Sequence, residues 1–444
     1  MRIRRYAVTT IVSFLTFAVL VARPALAQAD ADPLARRVSE IAARIVAEPA
    51  KSDTLFHPDF LAQVPVAQLL GVFQQFHAQA GAVVRTVQTS SRGTDYGEYR
   101  FETDKGMFFP AKLGIESAAP YRIHTLWFGL PQAVTTSPDE IIAKLKALHG
   151  RTSLAVFRLD GAGPRLLHGL QPDAPMAIGS TFKLYVLGAL AQEAGAGRMP
   201  WDRVVRLDDG LKSLPSGVLQ SWPEGTPLTV QALASEMISI SDNTAADHLL
   251  HLLGRPAVEA AQKIMGHATP ERNLPFLTTR EMFQLKAKDH AQRRSVYLAR
   301  DASGRRAYLQ DSLSVMDPPA LAGFEAGSPV AIDQVEWFAS TADLCRAMDW
   351  LRTHTEGEAN RSAAPARAIL AINPGVELDR KSWSYVGYKG GGEPGVLNMT
   401  WLLGRRDGAW FAVSASWNDE TRTVDTAELA SLLQGLIGLL ATSD

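Results

Sequence analysis

The run Thr181-Phe-Lys-Leu-Tyr-Val-Leu-Gly-Ala-Leu-Ala is apolar on every side except for one lysine. A helix that is hydrophobic all round has to be wrapped by protein. The rest of the chain must therefore build a shell around it, and Lys183 must be carried into that interior. At 444 residues and 46% hydrophobic content the chain can do this and is long enough for two folded units. Its 45 basic and 46 acidic residues leave a formal charge of -1, so no global field favours nucleic acid or an anionic membrane, and a small-molecule substrate is the expected partner. Cys345 is the only cysteine. It excludes an intrachain disulfide and a cysteine metal cluster, and it reads as a small buried apolar residue.

Arg2, Arg4 and Arg5 precede an apolar run from Ala7 to about Ala22, and Ala25-Leu-Ala27 then offers the small residues of a signal-peptidase site. Residues 1–27 are expected to be a signal peptide. The mature chain is then exported to a periplasm or the medium, with no stable membrane insertion after cleavage.

Residues 28–135 read as a small α+β domain. Apolar residues at three- and four-residue spacing predict helices over 33–47 and 64–77, and four strands follow over 82–89, 96–103, 106–115 and 121–128. Residues 136–444 form the second unit. A helix after Ser137-Pro138 and a strand over 152–159 join strands over 383–389, 396–403 and 409–417 and a helix opening at Asp425. These terminal segments make one antiparallel sheet with flanking helices. The chain between them is mostly helical, an all-helical lobe inserted into an α/β lobe.

Three stretches of the second unit carry chemistry. Ser180 opens the apolar helix, where unpaired amides and the helix dipole favour developing negative charge, and Lys183 lies one turn on, on the same face. Burial disfavours the ammonium, so this lysine can serve as general base to a serine nucleophile. Alone, Ser-x-x-Lys arises about once by chance in a chain of this length. Ser241-Asp242-Asn243 falls between two predicted helices: Ser241 can relay a proton to a leaving amine or alcohol, Asn243 can orient Lys183 and a substrate amide, and Asp242 shapes the turn. Lys389 ends a strand before Gly390, Gly391 and Gly392, which reads either as a glycine-rich edge bulge or as bare backbone that a substrate can approach. In the second case Lys389 supplies positive charge for a substrate carboxylate, and an amide of the glycine run pairs with that of Ser180 as an oxyanion hole.

In this order the motifs resemble those of class A serine β-lactamases and penicillin-binding proteins, S-x-x-K, S-D-N and K-T-G. The resemblance covers about Ser137 to the C-terminus and implies a β-lactamase/transpeptidase-like fold. It makes Ser180 the acylated nucleophile, Lys183 and Ser241 proton carriers, Asn243 a contact to the acyl amide, Lys389 a carboxylate reader, and Ser180 with Gly392 the oxyanion amides. No metal or other cofactor is implied. The whole chain is similar to the two-domain β-lactamase-like hydrolases of clavulanic-acid gene clusters, whose N-terminal domain resembles steroid-isomerase and polyketide-cyclase folds. Runs such as Leu214-Pro-Ser-Gly217 and Phe276-Leu-Thr-Thr-Arg-Glu-Met282 carry that likeness.

Three departures shape the functional expectation. The acidic loop E-x-x-L-N, whose glutamate activates the deacylating water, has no counterpart in Met265–Leu274. Glu271, the only carboxylate there, reads as capping or solvated. Acylation is then expected to outrun hydrolysis. Gly390 replaces the family threonine and removes a hydroxyl from the carboxylate pocket, so binding weakens by about 1 kcal/mol and esters become plausible substrates. An insertion over about 286–336 carries Arg293, Arg294, Arg300, Arg305 and Arg306 around an Asp301-Ala-Ser-Gly304 turn, either as solvated faces or as a cover that selects anionic acyl groups.

The expected activity is a secreted acyl hydrolase or esterase on β-lactams or related esters, serving β-lactam catabolism or the response to antibiotics. The alternatives are a DD-peptidase acting on peptidoglycan peptides, and a non-catalytic protein whose N-terminal aromatic residues Phe108, Phe109, Trp127 and Phe128 line a ligand pocket rather than a core. His248 and His251 are placed on a helix flank.

Overall fold

The computed structural model describes residues 32–46, 54–133, 137–161, 163–313 and 328–442. The expected signal peptide, the boundary at 135 and part of the 286–336 insertion lie outside the described residues. The chain divides after Pro131 into two compact units.

In the first unit three helices, Pro33–Ala42, Pro58–Gln63 and Val66–Ala80, precede an antiparallel sheet whose strands follow one another in chain order: Val83–Arg92, Tyr96–Thr103, Met107–Ile115 and Ile123–Phe128. Asp32 caps the first helix, and Leu34, Val38 and Ile41 form its buried stripe. The short helix at Pro58 escapes the periodicity because six residues hold less than two turns. Bulges at Val83/Arg85 and Gln88/Ser90 curve the sheet over the helices. Phe109 and Phe128 pack with Phe73, Phe76 and Phe101 as core. Phe108 and Trp127 instead carry Arg100 and Lys112 over their rings. The four aromatics therefore divide between core and cation contacts and do not line one common pocket.

The second unit is a five-stranded antiparallel sheet in the spatial order Trp383–Glu393, Val396–Arg405, Trp410–Asn418, Arg151–Asp160 and Gly163–Leu170. Strand Val396–Arg405 is buried along nearly its whole length because both faces are covered. On one face Leu154, Val156, Trp401 and Val413 meet helices Pro138–Ala147 and Thr426–Leu440 through Ile141, Leu145, Leu433 and Ile437. On the other, Ala155, Phe157, Leu402 and Ala412 meet helices Lys183–Gly195 and Thr341–His354. Cys345 belongs to this second core, its thiol 3.6 Å from the Ala155 carbonyl and pushed up by burial.

The helical lobe is built from segments with explicit stop and start signals. Thr229 caps Val230–Ser239, Asp242 caps Asn243–Leu253, and Gly254 separates the latter from Arg255–Ile264. Thr278 with Glu281, and Ser340 with Asp343, form reciprocal capping boxes. The insertion adds helices Ala291–Leu298 and Ala302–Tyr308. Asp301 does not make the expected turn: its carboxylate accepts from Gly304 N at 2.7 Å and opens the second of these helices.

Four of the insertion's arginines are ties within the lobe. Arg306 pairs with Glu259 at 2.9 Å, Arg294 and Arg305 donate to the carbonyls of Leu285 and Leu298, and Arg300 lies over Tyr308. His248 is buried, not on a flank: its Nε2 accepts from Asp208 N at 2.9 Å.

Candidate active site

The apolar helix is preceded by a tighter turn, Gly179–Phe182, so Ser180 sits just before the α-helix and Lys183 is its first residue. The tight turn brings the two side chains together, with Lys183 Nζ 3.3 Å from Ser180 Oγ. Lys183 is fully buried. Its amine lies 2.6 Å from Asn243 Oδ1, 2.7 Å from the Ser241 carbonyl and 3.1 Å from Ser241 Oγ. A neutral amine has two N–H groups and one lone pair. The two carbonyl oxygens can only accept, so they take both N–H groups and leave the lone pair for a hydroxyl proton. Burial, and next to it the charge of Lys389, hold Lys183 well below the usual lysine value.

Ser241 has φ +58, a left-handed conformation uncommon outside glycine. This backbone turn allows the carbonyl and hydroxyl of one residue to converge on one amine. The loop of Leu214–Gly217 braces it: Ser216 Oγ donates to the Ser241 carbonyl at 2.6 Å, and Asn243 Nδ2 donates to the Leu214 carbonyl at 2.9 Å. Asp242 has the expected shaping role, with Oδ2 accepting from Val218 N and Leu219 N and Oδ1 capping Ala245.

Lys389 is buried, and its Nζ donates to Ser241 Oγ at 3.0 Å and to the Gly390 carbonyl. Burial pushes it down to about 7, so its charge is not permanent. The glycines after it do not form a bulge. The strand runs on to Glu393, with Gly390, Gly391 and Gly392 paired to Met399, Asn398 and Leu397 at the edge of the sheet. A β-carbon at Gly391 would fall on the backbone of Ile178, Ser180 and Thr181, and one at Gly179 would lie 3.0 Å from Gly392 N. Only bare backbone on both sides lets the edge strand lie flat against the Ser180 turn.

At Gly390 the place of a β-carbon is taken by the Tyr388 hydroxyl. The expected loss of a hydroxyl from the carboxylate pocket is therefore corrected: another residue, two positions back on the same face, puts one there. Sequence reasoning missed Tyr388. The available signal was the period-two alternation of the strand beside a residue without a side chain.

Ser180 faces two spaces. The larger, about 550 Å³, is lined by Ser241, Asn373, Tyr388, Lys389 and the three glycines. The smaller, about 120 Å³, is lined by Asn243, Thr279, Met282, Trp337, Glu336 and Glu393. The last two were also missed, since Glu336 lies in the insertion and Glu393 beyond the expected strand end. Glu271 is exposed in a turn, as expected, while its neighbour Asn273 anchors that turn to Gln262 and to the Phe338 carbonyl.

A serine paired with a buried lysine, a serine–asparagine loop braced against it and a glycine edge strand laid along the serine turn meet around one hydroxyl, on a five-stranded antiparallel sheet flanked by helices. Residues 138–305 match the model of the β-lactamase enzyme family. β-Lactamase AST-1 of Nocardia asteroides is 35% identical over 149 residues, 33% of this chain and 47% of that protein, so the match spans about half the length of this curated relative. Among solved structures, a β-lactamase from Sphaerobacter thermophilus superposes with a TM-score of 0.47 at 21% identity, over 68% of this chain and 95% of that one. PBP-A does so with a TM-score of 0.47 at 15% identity, over 69% and 96%.

Proposed function

We propose that the larger unit is a serine acyl hydrolase that opens β-lactams or related esters through an acyl-Ser180 intermediate. The observation that carries this reading is the amine of Lys183, buried, held by two carbonyl acceptors and 3.3 Å from Ser180 Oγ. Its similarity to a β-lactamase supports the lactam as substrate class.

Lys183 takes the Ser180 proton as Oγ bonds to the acyl carbon. The amides of Ser180 and Gly392 receive the oxyanion. Collapse breaks the C–N bond of a lactam or the C–O bond of an ester, and the proton passes from Lys183 through Ser241 Oγ to the leaving atom. Asn243 orients Lys183 and meets the acyl amide, while Lys389, beside Tyr388 and the glycines, receives a substrate carboxylate.

Export through a signal peptide within residues 1–27, to a periplasm or the medium, belongs to the same reading. No helix among the described residues is long and apolar enough to cross a membrane.

Exposure to a fluorescent penicillin and to an activated ester, followed by intact-mass measurement, tests the proposal. A single adduct on the wild type and none on Ser180→Ala is expected. No adduct with either reagent would refute it, and release of D-alanine from a peptidoglycan pentapeptide would move the assignment to the DD-peptidase reading.

Lys389→Gln should raise KM for carboxylate-bearing substrates about 10- to 100-fold, the worth of a charge-assisted hydrogen bond, and leave neutral esters nearly unaffected. A lysine is charged below its pKa, and this one lies at about 7. Wild-type KM for an anionic substrate should therefore rise as pH climbs above that region. Steady-state kinetics on a matched pair of anionic and neutral esters reads both effects.

A further inference from the structure

The smaller space beside Ser180 holds a charged group that the acylation chemistry does not use. Lys286, at the end of helix Thr279–Lys286, is buried and lies between two carboxylates, 2.9 Å from Glu336 Oε1 and in contact with Glu393 Oε1. Glu336 is locked from the other side by Trp337 N, which donates to its Oε2 at 3.1 Å. Its side chain is wholly buried, whereas that of Glu393 is 17% exposed. Both line the space of about 120 Å³ that also contains Ser180 and Asn243, room enough for ordered water next to an acyl group on Ser180.

We infer that Glu393, backed by Glu336 and Lys286, is the group that activates water for release of the acyl group from Ser180. The inference rests on the acyl-Ser180 reading above. An ester to Ser180 needs a base for the attacking water, and the amine of Lys183 is already engaged by the Ser241 carbonyl and Asn243 Oδ1. Water gives one proton to the Glu393 carboxylate as its oxygen bonds to the acyl carbon, and on collapse the acyl C–Oγ bond breaks. Glu393 passes that proton to Ser180 Oγ, which restores the hydroxyl and returns Glu393 to its carboxylate.

Burial pushes Glu393 up, Lys286 pulls against it and Glu336 adds to it, leaving Glu393 at about 8. Burial alone would lower Lys286, but the two carboxylates outweigh it and keep its pKa raised. Glu393 therefore exchanges a proton near neutral pH, as a general base must, while Lys286 stays cationic beside it. Glu393 is the catalytic residue, and Glu336 and Lys286 position it.

The full-length protein is pulse-labelled with a fluorescent penicillin, freed of excess reagent, and loss of the Ser180 adduct is followed by intact mass. Glu393→Gln should label at a rate within about threefold of the wild type and release the adduct at least 100-fold more slowly. Glu393→Asp should fall between the two. Release by Glu393→Gln at the wild-type rate overturns the inference while leaving the nucleophile in place. A wild type that never labels removes the acyl-Ser180 reading, and this one with it.

Should the variants fail to melt cooperatively, the labelled wild type is transferred to buffers from about pH 6 to 9. Release that slows as pH falls through about 8, where Glu393 takes up a proton, supports the assignment. A flat profile overturns it.

Discussion

Replacing Lys183 with methionine should lower the rate of Ser180 acylation by about 10²- to 10⁴-fold, the usual worth of a positioned general base. The protein should remain folded. Methionine fills a similar volume and removes the cost of burying an amine. Against this, the substitution strips the hydrogen-bond donor from the Ser241 carbonyl and from Asn243 Oδ1. Unpaired acceptors cost about 1–3 kcal/mol each when fully dry, but Ser241 is only half-buried at the cleft and water can reach it.

A melting curve within a few degrees of the wild type, beside a large fall in the rate of fluorescent-penicillin labelling, separates chemistry from folding. Lys183→Arg sharpens the test. A guanidinium keeps the positive charge and cannot give up a proton. It should fail to restore labelling if the amine acts as a base, and should restore part of it if only a charge is needed. In the wild type, the neutral amine is lost as pH falls through the lowered pKa of Lys183, so labelling should decline on the acid side and hold above it.

Gly391→Ala is the second large effect. A methyl group there meets the backbone of Ile178, Ser180 and Thr181, atoms that no rotamer change can move aside. Either the edge strand lifts or the serine turn shifts. Overpacking of this kind costs about 1–3 kcal/mol, and a displacement of about 1 Å at the nucleophile costs about 100-fold in rate. Both melting temperature and labelling rate should fall together.

Gly392→Ala provides the contrast for stability. The β-carbon at 392 points to the opposite face of the strand, where its nearest neighbours are 3.4 Å and 3.6 Å away, in ordinary contact. The melting temperature of that variant should stay near that of the wild type. Equal destabilisation by the two alanines would show that the close approach at Gly391 is not what constrains the strand.

Much of this site could be read along the chain because its parts are local. Ser180 and Lys183 are one helical turn apart, so their meeting follows from helix geometry. Asp242 caps its helix through Ala245 N, three residues on, and the caps at Thr229, Ser340 and Asp425 are equally local. The strands around the second core were legible as apolar runs bounded by glycine and charge. Strand Gly163–Leu170, half exposed at the sheet edge, and helix Ala364–Leu370, only seven residues long, carry too little apolar periodicity and were missed. The glycines after Lys389 misled the reading of the strand end. Glycine breaks a strand by propensity, and here the pairing with Val396–Arg405 outweighs that preference.

What the linear order of residues determined by itself was the pairing of Ser180 with Lys183, because backbone geometry alone brings a residue to its neighbour three positions on. What only the tertiary structure decided was the company they keep. Ser241, Lys389, Tyr388, Lys286, Glu336 and Glu393 come from segments far apart in the chain, and packing across two hydrophobic cores brings them to two spaces around one hydroxyl. Burial is also a property of the assembled fold, and it lowers the pKa of Lys183 and Lys389 and raises that of Glu393. No local pattern encodes a desolvation energy, since that energy depends on every segment that excludes water from the site.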